Sequence, residues 1–433
     1  MNDYLKITIC CILILCSNVL KAQETLTLSL DSSIVYAIEH NKILISSKLT
    51  IDKSSQKIKE TISQGLPQIN ASVDYNNFLG AEAEFKISEM APPAVIEFNP
   101  TSNAKLSVSQ LVFSGSYYVG IQLSKLAKTI TEQSYQKDEL NVKEQTIQAY
   151  YMILVSEKLL KIRLENKNNI QLIYEKTNNL ANTGIIELTE PKKLLIIITS
   201  IDNAIKATER QVEMGYNLLR LQLGLSSEQE IKLTTDLEML EQKFVTQSLM
   251  DDTFNIENNM DYKLISMQGD IAQKNIKLKR AAYLPTLAAY YSYTEKLIKP
   301  KFDLSPNQVV GLSLNIPIFS SGFRKYQVNQ AKTDYYISLN NKELLTDQLT
   351  LQEKQLRYNY KNLYEQFQNQ KANVEIAKEV FDKMNLKYEQ GIVSSLELTS
   401  ANNEYLNAES AYAGILLQLL NAELSLRKIN SNF

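Results

Sequence analysis

The sequence is poor in the residues that most often carry chemistry. Its one histidine, His40, stands beside Asn41 on a polar stretch of an expected helix and reads as a surface residue. Its three cysteines, Cys10, Cys11 and Cys16, all fall within the first 22 residues. Beyond that point redox, thiolate and Cys/His metal chemistry have no side chains to use, so no metal site and no cofactor is expected. No phosphate-binding loop, dinucleotide fingerprint or serine–histidine pairing is present, which argues against an enzyme. Charge of one sign is lacking too. With 46 Lys+Arg against 48 Asp+Glu, the chain has no basic footprint for nucleic acid.

Long apolar runs are also missing after residue 22. The nearest, LLIIITSI from Leu194 to Ile201, falls well short of the roughly 18 residues that cross a bilayer as a helix. If this chain spans a membrane, strands must do it. Residues 1–22 are different. Lys6, the apolar run ITICCILILC and a closing LKAQ with Ala22 at the cleavage position read as a secretory signal peptide. The alternative, a membrane anchor, needs about 20 apolar residues and finds fewer. Ile9 before Cys10 and Leu15 before Cys16 are not the small residues that lipidation requires.

Glycine and proline are scarce, and their placement is informative. NTGIIELTE (182–190) echoes EQGIVSSLE (389–397), which sets Gly184 and Gly391 207 residues apart. The same separation relates Gly115 of LVFSGS to Gly322 of PIFSSGF. LPQINASVDY, beginning Leu66-Pro67, matches LPTLAAYYSY, beginning Leu284-Pro285, at a separation of 218. The chain is therefore an internal duplication, read as a first repeat over 23–225, a connecting segment over 226–255 and a second repeat over 256–433. Eight of the nine prolines lie in two windows, 67–100 and 285–317. Proline breaks helix interiors, so each repeat reads helix, strand, strand, long helix, turn, long helix.

Inside the windows the apolar period changes to two. Ile69, Ala71, Val73 and Tyr75 share one face against Asn70, Ser72, Asp74 and Asn76. Leu106 and Val108 oppose Lys105 and Ser107, and Val310, Leu312 and Leu314 oppose Gly311, Ser313 and Asn315. LAAYYSYTEK is ambiguous, with tyrosines on both faces. Four strands of about ten residues suit a tilted membrane strand; a pair of hairpins packed on the helices is the other reading. The hairpins are expected at about 66–116 and 285–321. Their loops, EFKISEMAPPAVIEFNP and KLIKPKFDLSPNQ, read as solvent-exposed tips.

The helical part carries coiled-coil seams. Leu398, Ala401, Tyr405, Ala408, Tyr412, Ile415, Leu419, Ala422 and Leu426 keep 3–4 spacing, and the stretch from Leu194 to Leu219 repeats it. The seam from Leu356 to Tyr388 misses only at Gln370. Its first-repeat counterpart is poorer, with Ser156, Arg163, Lys167 and Thr177 out of place. Residues 324–390 hold no glycine or proline, enough for a helix of about 100 Å. Gly184 and Gly391 are then the turns of two helical hairpins. The fold class is thus mainly α, with long antiparallel coiled-coil hairpins plus four strands per chain. Four strands leave two open edges, and a cyclic homo-oligomer would close them in multiples of four.

Together, the opening LTLSLDSSIVYAIEHN, the two Leu-Pro corners, the two Ser-Gly corners and both tip turns resemble the outer-membrane efflux protein (TolC-like) family over essentially the whole chain after residue 22. The resemblance implies a homotrimer closing a 12-stranded outer-membrane β-barrel. A tunnel of α-helices continues it into the periplasm of a Gram-negative cell and docks on a periplasmic adaptor and an inner-membrane pump. It implies a passive exit duct for efflux or type I secretion, with Leu66, Pro67, Gly115, Leu284, Pro285 and Gly322 at the barrel–helix corners. At the tip it implies a constriction at Glu190 and Glu397, adaptor docking at Gly184, Gly391, Ile392 and Val393, and a gate latch at Tyr388. Tyr388 is expected to bond Glu190 across neighbouring hairpins. The family's second acid is replaced by Lys193 and Ser400, and its arginine after the second turn by Val393, so the closing network must differ. A periplasmic coiled-coil adaptor is the competing reading; it would show one hairpin between glycine- and valine-rich β domains.

Overall fold

In a computed structural model the two proline-bearing windows form the strands of one sheet. The structure describes residues 25–85, 94–243, 253–299, 303 and 305–431; the expected signal peptide lies outside the described residues. The elements run β1 (Leu26–Leu28), α1 (Leu30–His40), α2 (Lys42–Ser63), β2 (Gln68–Asn76), β3 (Glu82–Phe85), β4 (Ala94–Glu97), β5 (Thr101–Ser114), α3 (Gly115–Asn182) and α4 (Thr189–Leu223). After these come β6 (Ile231–Leu233), α5 (Leu237–Lys243), a short 3-10 turn, α6 (Met260–Ala281), β7 (Thr286–Ile298), β8 (Gln308–Asn315), α7 (Phe323–Glu389) and α8 (Ser395–Ile429). The described residues divide into two units. One lies within 1–46, 135–260 and 347–433, the other within 47–134 and 261–346.

The second unit holds a four-stranded sheet in the order β2-β5-β7-β8, antiparallel throughout. Its register tests the alternation directly. Ile69, Val108, Tyr291 and Val310 align as one row across all four strands. The adjacent row is Asn70, Ser107, Ser292 and Val309. Since side chains of adjacent residues point to opposite faces, one face is apolar and the other largely polar or small. Register also resolves the ambiguous tyrosines: Tyr291 and Tyr293 stand on the apolar face. Tyr290 lies on the polar one, where a Cβ on Gly311 would come within 2.7 Å of its ring. The apolar row is left uncovered, Ile69 and Val310 being 68% and 82% exposed. The first loop, expected to be a solvent-exposed tip, contains a second small antiparallel pair, β3 with β4.

At the corners, each Leu-Pro step ends a helix. Leu66 and Leu284 donate their amides to Ser63 and Ala281 carbonyls at 3.0 Å, and Pro67 and Pro285, lacking a donor, lead into the strands. Gly115 opens α3 directly from β5, and a Cβ there would meet the Leu284 side chain at 2.5 Å. The equivalent Gly322 instead adopts φ +83° after Ser321 at φ +47°, so the two repeats turn this corner differently.

The first unit is held by seams. Leu194, Ile198, Ile201, Ile205 and Leu219 on α4 are buried, as are Leu398, Ala401, Tyr405, Tyr412, Leu419, Ala422 and Leu426 on α8. Phe367 stacks on Tyr412 and Phe381 on Tyr405, with centroids 5.5 and 5.7 Å apart, bringing the α7 seam onto α8. Gln370, the one miss in that seam, donates to the Ala408 carbonyl at 3.1 Å. A parallel pair of three-residue strands, β1 with β6, was not anticipated. The Tyr150 hydroxyl donates to the Leu28 carbonyl and accepts from the Thr235 amide, each at 3.1 Å, fixing that pair on α3. Among the described residues, no helix is long and apolar enough to cross a membrane.

Candidate functional site

The candidate site is the pair of turns that join α3 to α4 and α7 to α8. Each turn follows from one glycine. Gly184 and Gly391 have φ +78° and +73°, the left-handed region that side chains disfavour. Gly184 and Ile185 donate to the Ala181 and Leu180 carbonyls at 3.0 Å. Gly391 and Ile392 donate to Tyr388 and Lys387 at 3.0 and 2.9 Å. Both are Schellman closures, which satisfy the last carbonyls of a helix and reverse the chain.

The helices that leave the turns begin differently, and this separates the twin acids. Ser394 caps α8 in a reciprocal box: its hydroxyl accepts from the Glu397 amide at 3.3 Å, and Glu397 Oε2 accepts from the Ser394 amide at 2.8 Å. Those Ser394 donors, backbone first, hold the Glu397 carboxyl below the usual carboxylate range. The equivalent position in the first repeat is Glu187, and α4 has no side-chain cap. Glu190 is thereby free of capping. Its carboxylate accepts from Lys193 Nζ at 2.7 Å, and the Lys193 ammonium, with a smaller contribution from Ser395, holds its pKa low. The sequence carried the signal for this asymmetry: Ser394-x-x-Glu397 is a capping box, and 187–190 is not. Replacing Ser394 by alanine removes the cap, and thermal unfolding is expected to report a loss of about 1 kcal/mol.

Between the turns lies a cavity of about 830 Å³, lined among others by Thr177, Leu180, Ile185, Glu190, Tyr388 and Val393. Tyr388 and Glu190 thus face one space, yet each is paired elsewhere in the chain. The Tyr388 hydroxyl lies 3.3 Å from Thr177 Oγ1, and burial pushes its pKa up. Ile392 is exposed. Lys176 pairs with Glu389 at 3.2 Å on the cavity's rim.

Three of the four misfit residues of the first-repeat seam, Arg163, Lys167 and Thr177, prove to be polar ties between helices. Thr177 is the partner of Tyr388. Arg163 donates to the Ala204 carbonyl at 2.8 Å, to the Thr208 hydroxyl, and to the Ser410 hydroxyl at 3.1 Å, so one guanidinium joins α3, α4 and α8. Burial lowers its pKa. Lys167 pairs with Asp202 at 2.7 Å. Asn166, buried beside them, donates to Asn402 Oδ1 at 2.8 Å. Sequence reasoning passed over both asparagines. Their shared signal was position: each falls one residue off a seam, on the side facing the other hairpin. Among the described residues, no group of three or more His, Cys, Asp or Glu could hold a metal ion.

Comparison with known proteins agrees with this architecture. Residues 256–430 match the sequence model of the outer membrane efflux protein family. Outer membrane protein TolC of Salmonella enteritidis is 22% identical over 297 residues, 66% of this chain and 57% of TolC. The chain therefore spans less than two-thirds of that relative's length. Among solved structures, CusC superposes with a TM-score of 0.72 at 16% identity, covering 93% of this chain and 91% of CusC. The Campylobacter jejuni CmeC outer membrane channel gives 0.71 at 17% identity, covering 93% and 85%. Residues 256–430 are thus similar in sequence to the outer membrane efflux proteins, and the fold of the chain is similar to those of CusC and CmeC.

Proposed function

We propose that the chain is the outer-membrane exit duct of a Gram-negative export system, a passive homotrimeric channel. It would pass substrates from a periplasmic adaptor and an inner-membrane pump to the outside. The observation that carries this reading is the sheet: four antiparallel strands with one uncovered apolar face and, among the described residues, two unpaired edges, β2 and β8. Unpaired edges in lipid cost several kcal/mol per group, and three copies would supply the 12 strands of a closed barrel. The chain divides as repeats 23–225 and 256–433 about a connecting segment 226–255. It performs no catalysis, and energy comes from the pump. The single-hairpin adaptor reading is disfavoured by the two hairpins present, α3/α4 and α7/α8. Membrane fractionation followed by native mass measurement tests the proposal. A trimer in the outer-membrane fraction is expected, and a soluble monomeric product in the periplasm overturns it.

The tip is the constriction in this reading. Glu190 is neutralised locally by Lys193, and Glu397 is engaged with Ser394, so the ring is less acidic than its two carboxylates suggest. Both carboxyls have depressed pKa values, so they stay ionised through the usual carboxylate range, and the interactions they make are lost only as pH falls through the lowered pKa. Lys193→Ala is expected to raise the cation-over-anion permeability ratio in planar bilayers, and Glu190→Gln to lower it. Tyr388 acts as a latch through Thr177 and through the cavity it shares with Glu190. Tyr388→Phe is expected to raise single-channel conductance, whereas unchanged conductance in Tyr388→Phe and Glu190→Gln alike would remove the latch and the constriction from the account.

A further inference from the structure

The apolar face of the sheet continues onto the helices that adjoin it. Phe113 pairs with Leu287 and Leu287 with Leu314, and Leu287 lies four residues before Tyr291 on one regular stretch of β7, so this row belongs to the apolar face. It is the end of that face nearest the helices. The Phe113 ring lies 6.3 Å from the Tyr118 ring, centroid to centroid, and Tyr118 is 51% exposed. The side of α3 that bears Tyr118 therefore extends the apolar side of the sheet.

Beyond Tyr118 that side turns basic. Gln122 and Lys125 follow it at the spacing of one helix face. Lys274 Nζ donates to Gln122 Oε1 at 2.6 Å, which brings α6 to the same side, and Lys277 stands one turn further along α6. Lys125 and Lys277 are exposed, and among the described residues neither forms an ion pair. Acids are missing from both stretches. Neither α3 from Gly115 to Thr131 nor α6 from Ile271 to Ala281 holds an Asp or Glu, although together they hold Lys125, Lys128, Lys274, Lys277, Lys279 and Arg280. The next carboxylates along these helices are Glu132, paired with Lys128 at 3.4 Å, and the exposed Asp270, one turn before Lys274. A chain of net charge −2 thus concentrates positive charge at one edge of its sheet. The duplication repeats the feature: at the separations of 207 and 218 residues, Lys125 and Lys277 correspond to Lys332 and Lys59, both exposed.

We propose that Lys125, Lys274 and Lys277 bind the phosphate of anionic phospholipids in the periplasmic leaflet, just beyond the level at which Phe113 and Tyr118 leave the hydrocarbon. Aromatic rings favour the headgroup level. Lys125 stands about 10 Å past Tyr118 along α3, and a lysine there lays its stem along apolar surface and carries its ammonium to the interface. A phosphodiester supplies the negative charge that the two helices withhold. A zwitterionic headgroup would bring a cation of its own into the cluster and is disfavoured. This inference rests on the outer-membrane duct proposed above.

Native mass spectrometry of the purified full-length oligomer tests it, with lipids titrated into the detergent. The parent is expected to retain phosphatidylglycerol in preference to phosphatidylcholine, and Lys125→Gln/Lys274→Gln/Lys277→Gln to lose that preference, about fivefold for each lysine. Lys125→Arg/Lys274→Arg/Lys277→Arg keeps it. So does Lys354→Gln/Lys361→Gln/Lys371→Gln, which removes three exposed charges from the helical unit. Inorganic phosphate in excess leaves the lipid bound. Equal retention of the two lipids by the parent overturns the site, as does a glutamine variant at 125, 274 and 277 that prefers phosphatidylglycerol as the parent does. Displacement by inorganic phosphate alone assigns the cluster to the free ion and overturns the lipid. A monomeric product that stays in solution without detergent overturns the duct reading and the lipid site with it, whereas an oligomer that needs detergent yet shows no lipid preference overturns the lipid site alone.

Discussion

Replacing Gly224 by alanine is expected to destabilise the helical unit by about 3 kcal/mol, the sum of a left-handed backbone penalty and a clash that cannot relax. Gly224 ends α4 at φ +69°. A Cβ there would stand 2.4 Å from the His40 carbonyl oxygen, and both partners are backbone. His40 is followed by Asn41, which holds this elbow from the other side: its Nδ2 donates to the Gln222 carbonyl at 2.8 Å, and its Oδ1 accepts from the Ile43 amide at 2.8 Å. Neither chain segment can move without breaking those bonds. Gly184→Ala and Gly391→Ala provide the contrast. They share the positive φ but have open space around an added Cβ, so each is expected to cost only the backbone penalty, about 1 kcal/mol. Denaturant midpoints followed by helical circular dichroism in detergent separate the cases. Equal losses at all three glycines would remove the elbow from the list of stability determinants.

The second large effect is non-additive. Asn166 and Asn402 are almost completely buried, 3% and 0% exposed, and bond each other at 2.8 Å between α3 and α8. Asn402→Leu leaves the Asn166 amide buried without its partner, and a buried polar group in that state costs about 1–3 kcal/mol. Asn166→Leu does the same to Asn402. With both replaced by leucine no amide remains to satisfy, so the double variant is expected within about 1 kcal/mol of the parent. A double-mutant cycle measures this coupling directly. Losses that simply add would mean that the two amides act independently.

Much of the fold was legible in the sequence because it is repetitive and strictly periodic. Prolines confined to two windows marked the strands, and alternation gave faces that the row Ile69, Val108, Tyr291 and Val310 bears out. Gly184 and Gly391, at equivalent places in the two repeats, marked the turns. What escaped was short or depended on a neighbour. Strands β1 and β6 have three residues each, too few for any period, and they pair although they stand far apart in the sequence. The β3/β4 pair has four residues in each strand, again too few for its alternation to stand out within a charged loop. At the site, seam analysis found Arg163, Lys167 and Thr177 only as misfits. Their partners Ser410, Asp202 and Tyr388 belong to other helices, and spacing along one helix says nothing about those. The twin acids looked equivalent by distance from their glycines, yet the residue three before each, Ser394 or Glu187, decides whether it caps a helix or faces the cavity.

The proposed duct must form a conducting path through a membrane. Reconstituting the purified full-length oligomer in planar lipid bilayers tests it most directly. Discrete conductance steps are expected, with an ion selectivity that shifts in Lys193→Ala and Glu190→Gln. A folded trimer that inserts yet leaves the bilayer non-conducting, in the parent and in Tyr388→Phe alike, would contradict it.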